Sequence, residues 1–329
     1  MSDGNGYRQS PVEITVPPVG ARIQVPPFYR SSRRDTRGAV IAAILFVLTI
    51  FSTLAVGTEF ASAYQAGVAP FTNGRVFPYA TVIAHPALLL TGLPFAFTLM
   101  VILLAHELGH FFACRHYHIP ASFPYFVPAP TLIGTFGAFI RIRAPIFNRK
   151  ALFDVGLSGP VVGFLFALPA LVVGIAMSKV VPGAQSQGWI VFGNPPLVKL
   201  LESILRPNVR QGDLLLDPVG RAAWVGLFVT ALNLLPVSQL DGGHVVYAVA
   251  PDKHRYISLA VILALVPMGY LWSGWLLWAA LLLVFLGLRH PPLLDYWEPL
   301  DEKRKFWAFI GLVIFLLCFT PIPLAFHGA

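Results

Sequence analysis

An all-α polytopic membrane protein, with about seven transmembrane helices and a short membrane-associated β segment between the second and third spans, is the fold class this sequence predicts. Three observations lead there. Apolar residues make up 56% of the 329-residue chain against 12% charged, with a mean hydropathy of +0.71, a balance uncommon in soluble domains. The apolar residues gather into runs close to the roughly 20 residues that a helix needs to cross a bilayer. Lys and Arg fall between those runs and distribute unevenly about them, as they do in membrane proteins.

Residues 1–37 hold Pro, Ser and six Arg, with no apolar core and no small-residue cleavage pattern. They read as a flexible cytoplasmic tail rather than a removable signal peptide. Residues 38–329 form the transmembrane domain, beginning with an apolar span over about 38–57. A stretch from 76 to 91, with Pro78, His85 and Pro86, suits a re-entrant or interfacial segment. The second span covers about 92–117 and carries His-Glu-Leu-Gly-His near its end. Between 121 and 146 the chain changes character. Pro120, Pro124, Pro128, Pro130 and Pro145 bracket a segment from Gly134 to Arg143 whose end alternates with period two, which predicts a short strand or hairpin.

The third span covers about 154–177 and includes Gly159-Pro-Val-Val-Gly163, a spacing that lets helices approach closely. The loop at 179–219 is too short for an inserted recognition domain of roughly 100 residues. A fourth span, about 222–249, is broken at Asn233-Leu-Leu-Pro236, and broken backbone at membrane depth lines sites. Runs over 256–271 and 275–288 form a helical hairpin, and a last span covers 306–325.

With the N-terminus inside, 17 of the 23 Lys and Arg lie on the inner side, as the positive-inside rule requires. The expected setting is a bacterial-type plasma membrane with a cytoplasmic N-terminus, and the lipid bilayer is the first partner. The +8 charge comes without a basic block interleaved with aromatics, so nucleic acid is not a partner. Cys114 and Cys318 have no CxxC spacing and support neither a disulfide framework nor a thiolate metal site; they read as apolar fillers.

Histidines four apart on a helix share a face, so His106 and His110 can both address one ion. Glu107 lies beside them. Imidazoles hold the metal in this HExxH arrangement, and the carboxylate takes a proton from the water that the metal activates. Left unpaired near the end of an apolar span, such groups would each cost roughly several kcal/mol. A catalytic zinc site also needs a third protein ligand and an open position. Asp241 is the best candidate, because the second and fourth spans run in the same direction and bring it to the depth of His110. Asp154 competes, although its place at the start of the third span suits helix capping. The stretch from Gly134 to Arg143, with Gly134 and Gly137 allowing close approach, presents a strand edge for an unwound substrate.

His116 and His118 lie at the membrane surface past Cys114. His244, one turn past Asp241, stands either behind the ligands or simply at a helix end. Arg141 and Arg143 suit lipid headgroups.

The sequence resembles the site-2 protease family. His106-Glu-Leu-Gly-His110 matches the first family motif, and Asn233-Leu-Leu-Pro236 with Leu240-Asp241-Gly242 matches the second. Gly134-Thr-Phe-Gly137-Ala and Ser158-Gly-Pro160 look like the connecting region, so the protease core covers about residues 92–250. The resemblance implies an intramembrane zinc endopeptidase acting on the transmembrane segments of other membrane proteins. It implies one Zn2+ per chain on His106, His110 and Asp241, with Glu107 as the base and Asn233 holding substrate or oxyanion. A membrane metal transporter, or a protease-like protein that only binds partners, is the alternative; a transporter is expected to spread its ligands along a path.

Overall fold

Thirty-one residues without an interior proline form the first helix, α1, over Thr36–Ala66. The computed structural model describes residues 36–71, 78–183, 190–210, 212–286, 293, 295 and 298–326. The tail expected over 1–37 therefore lies almost wholly outside the described residues, as do Arg75 and Arg289 of the charge pattern. Along α1, Val40, Ile44, Val47 and Phe51 are exposed on one face, the surface an apolar solvent requires. The hydroxyls of Thr49, Thr53 and Thr58 donate to carbonyls four residues back, so these three are satisfied in apolar surroundings.

The segment expected to be re-entrant forms α2 (Tyr79–Ala84) and a 3-10 turn over Pro86–Gly92 that leads directly into α3 (Leu93–His116); residues 76 and 77 are outside the described residues. The predicted hairpin is present. Strand β1 (Tyr125–Pro128) pairs antiparallel with β2 (Thr135–Phe139), setting Tyr125 against Phe139 and Phe126 against Ala138. Ser52 of α1 donates to the Gly134 carbonyl at 2.6 Å, tying the hairpin to the first helix.

Helix α4 spans Arg149–Met177, beginning a turn before the expected start. Its cap is Asn148, whose side chain accepts from the Ala151 amide at 2.8 Å. Asp154 sits inside the helix and is not its cap. The following segment folds back as short pieces. Strand β3 (Lys179–Val180) pairs with β5 (Leu214–Leu215), and β4 (Ile190–Phe192) pairs with β6 (Leu324–Phe326), with α5 (Pro196–Leu205) between β4 and β5 in the chain. Trp224 donates its indole N–H to the Gly193 carbonyl at 2.6 Å, closing this cover over the helices.

Of the seven crossings expected, the described residues confirm fewer. Three helical stretches are long and apolar enough to span a bilayer: Thr36–Ala66, Pro86–His116 and Arg149–Met177. The fourth run splits into α6 (Pro218–Asn233) and α7 (Asp241–Val249) around Pro236, which lacks an amide hydrogen to continue a helix. The hairpin legs are α8 (Pro251–Met268), charged at Asp252, Lys253 and Arg255, and α9 (Gly274–Leu281). The last helix, α10 (Glu302–Cys318), has 17 residues. Hydropathy located these runs, but apolarity does not report where a helix must break.

Helix α3 packs along α4, and α4 along α6 and α7. The contact is backbone to backbone: a Cβ on Gly109 would stand 2.6 Å from the Ser158 carbonyl oxygen. Gly109→Val should therefore force the helices apart and destabilise the protein by about 1–3 kcal/mol. Thermal unfolding of the detergent-purified variant checks this, and an unchanged midpoint would contradict so close a contact.

Candidate metal centre

The helical repeat of α3 stacks His106 and His110 one turn apart, and the break after α6 returns the chain so that α7 begins at Asp241 beside them. The Nε2 atoms of the two histidines lie 3.1 Å apart, and Asp241 Oδ2 is 3.2 Å from His106 Nε2 and 3.4 Å from His110 Nε2. All three ligand atoms fall within 4.8 Å of one another, in the group that among the described residues has the geometry to hold a metal ion. His106 and His110 are buried, while the Asp241 side chain is 17% exposed to the cleft.

The tautomer of His110 tests the fit. Its Nδ1 is 2.7 Å from the Val155 carbonyl of α4. A carbonyl only accepts, so Nδ1 carries the hydrogen, and in the neutral ring Nε2 turns a lone pair toward the cluster. A backbone carbonyl behind the imidazole is the usual arrangement for a metal-binding histidine. Two imidazole nitrogens and a carboxylate oxygen converging in this way are a donor set that suits zinc.

Space for the rings comes from the glycine face of α4. A Cβ on Gly159 would stand 2.1 Å from His110 Nε2, and one on Gly163 would stand 3.1 Å from His106. The spacing expected to bring helix backbones together thus also accommodates the two histidines. Glu107, buried on the next position of α3, lines the same cleft of about 230 Å³ with Asn233, Asp241 and His244. The Ile140 amide is directed at its carboxylate. Asn233, the last residue of α6, holds its Nδ2 3.2 Å from His106 Nε2.

The structure brings together His106, Glu107, His110, Asn233 and Asp241 in one cleft. From the β segment it is Ala138, Phe139, Ile140 and Ile142 that line it. Gly134, at φ +82°, packs instead against Ser52 of α1, while Gly137, at φ +101°, has open space where a side chain would stand. Asp154 is removed from competition as a ligand. Its carboxylate receives two hydrogen bonds from Arg304 of α10, at 2.9 and 2.5 Å, and one from the Tyr117 hydroxyl at 2.5 Å. Those bonds hold the Arg304 guanidinium above its ordinary pKa. His116 and His118 are exposed, as are Arg141 and Arg143; none belongs to the metal group. Cys114 and Cys318 are free and buried. Sequence reasoning missed the Val155 carbonyl and the Ile140 amide, backbone groups that no residue type announces. The small residues at 156, 159 and 163 were a legible sign that something bulky faces α4.

A family model described as peptidase family M50 matches residues 94–271. The chain belongs to this family, the site-2 protease family. Relatives from Arabidopsis thaliana include the probable zinc metalloprotease EGY1, chloroplastic, 30% identical over 86% of this chain and 53% of its own length. The probable zinc metalloprotease EGY2, chloroplastic, is 31% identical over 73% of this chain and 44% of its own. The probable zinc metallopeptidase EGY3, chloroplastic, is 24% identical over 89% and 50%. The chain spans about half the length of these curated relatives. Zinc is the metal that the donor set and these relatives agree on. The relatives overturn one expectation: they are chloroplastic proteins, not proteins of a bacterial plasma membrane, and the cytoplasmic N-terminus inferred with that setting lapses with it. Charge asymmetry reports sidedness about a bilayer, not which bilayer it is.

The Gly159 contact yields a graded prediction. Gly159→Ala must displace His110 and should weaken zinc affinity by about 10- to 100-fold, the range typical when a ligand's support is disturbed. Gly163→Ala, with about an ångström more room, should do less. Chelator competition on the purified proteins measures both, and equal affinities would show that α4 does not confine the histidines.

Proposed function

We propose that the chain is an intramembrane zinc endopeptidase that hydrolyses peptide bonds within or near the transmembrane segments of other membrane proteins. One observation carries this reading: three metal-ligand atoms and a general base meet in a cleft at the end of an apolar helix long enough to span a bilayer. When bound, zinc would polarise the scissile carbonyl and make water a stronger acid.

The chain's own residues supply the rest. Glu107 takes the proton of the attacking water and passes it to the leaving amine. Buried on α3, it keeps this role away from bulk solvent. His110 is kept in its ligand tautomer by Val155, and Asn233 stands beside His106, where its amide N–H can also meet a developing oxyanion. A peptide bond inside a helix is shielded by its own hydrogen bonds, so the substrate must be extended locally. Ala138, Phe139, Ile140 and Ile142, at the end of β2 and just past it, line the cleft, and the far edge of β2 carries no strand among the described residues; an extended substrate can pair there. A metal carrier fits less well, because the ligands converge at one point with a carboxylic base beside them.

Glu107→Gln keeps size and burial but removes the base, so zinc should remain bound while turnover falls by about 100- to 10,000-fold. Asp241→Asn replaces an anionic ligand with a neutral one, so zinc affinity should fall and activity with it. Zinc stoichiometry and cleavage of a reconstituted transmembrane peptide distinguish the two losses. Full cleavage by Glu107→Gln would remove the enzyme reading, and undiminished zinc affinity in Asp241→Asn would remove that ligand.

In the strand, Gly137→Ala meets open space but a backbone angle that L-residues rarely adopt. Cleavage should drop severalfold with zinc content intact, and normal cleavage would separate the strand from substrate handling.

A further inference from the structure

The loop from Leu234 to Leu240 joins Asn233 to Asp241, and its middle residue of interest, Ser238, is fully buried with φ +49°. A non-glycine residue in the left-handed region persists only where its surroundings hold it. Those surroundings come from α8. The Ser238 amide donates to Ser258 Oγ at 3.2 Å, and the Ser238 carbonyl lies 3.2 Å from His254 Nε2. His254 and Ser258 are four residues apart, one turn of α8, so one helix face grips both backbone polar groups of the same residue. Because a carbonyl only accepts, His254 Nε2 carries a hydrogen and donates it.

Both gripping side chains are buried, with His254 at 1% exposure and Ser258 at 0%. The edge of the His254 ring also meets Tyr247, which belongs to α7, the helix that Asp241 begins, with ring centres 5.3 Å apart. On the other side the loop has no slack. A Cβ on Gly243 would stand 2.3 Å from the Ser238 carbonyl oxygen, and one on Gly242 would stand 2.1 Å from the Leu234 carbonyl oxygen. The loop is thus clamped between α8 and the first turn of α7.

We propose that His254 and Ser258 are positioning residues that hold the Asp241 carboxylate at the two histidines by fixing Ser238. The proposal rests on Asp241 being a zinc ligand. Neither residue touches the metal group; each acts through the backbone three residues before it. Rotation of Ser238 out of the left-handed region would swing the start of α7, and the carboxylate would leave the 3.2–3.4 Å positions it holds beside His106 and His110.

Zinc affinity of the full-length protein in detergent, measured by chelator competition, tests this. His254→Leu removes the donor while filling part of the space, and should weaken zinc binding about 10- to 100-fold. His254→Gln can place an amide N–H near the same point and should bind zinc close to the native level. Ser258→Ala removes a single oxygen and should behave as His254→Leu does, which keeps the test open should that variant fail to fold. A purely structural role would lower the unfolding temperature of these variants but leave the zinc affinity of the folded protein native. That result, or equal weakening by Leu and Gln at 254, would overturn the proposal. Native protein that binds no zinc would instead remove the metal-centre reading on which it stands.

Discussion

The backbone-to-backbone contact of α3 with α4 is the constraint on which the rest of this structure depends. It brings Gly109 against Ser158 and lays the glycine face of α4 over the two histidines. It also presents the Val155 carbonyl to His110, which sets that ring's tautomer. Any wider spacing would loosen the rings and leave an imidazole N–H unpaired in apolar surroundings, where no water replaces the lost bond. Packing and chemistry therefore share one set of small residues.

The remaining polar groups follow the same rule of being satisfied within the protein. Asp154 is saturated by Arg304 and Tyr117, linking the ends of α3, α4 and α10 a turn or two beyond the metal group. The discontinuity between α6 and α7 would leave free backbone groups inside the protein, and part of that requirement is met by His254 and Ser258. The break is what lets Asp241 arrive at the start of a helix, beside histidines 135 and 131 positions earlier in the chain.

Much of the site was legible because its residues are anomalous where they occur. Two histidines and a glutamate at helical spacing inside an apolar run have few reasons to be there, and a broken run carrying Leu240-Asp241-Gly242 offered the best candidate for a third ligand. The hairpin was legible from its bracketing prolines and its alternation. Three of the expected spans stand as long apolar helices; the other crossings are not confirmed, because α6, α7 and α10 are apolar yet short and α9 runs on through Leu286 to the edge of the described residues. Asp154 was misread for a related reason: an acidic residue near an expected helix start resembles a cap until the start itself moves to Arg149.

The sequence by itself determined the apolar solvent, the HExxH face of α3, the break after Asn233 and the carboxylate at 241, because composition and periodicity follow directly from residue identity. Only the tertiary structure decided which carboxylate completes the cluster, which groups orient His110 and Ser238, and how closely α4 confines the rings. Those outcomes turn on backbone carbonyls, backbone amides and interhelical distances, which belong to no residue type and arise only when distant segments pack together.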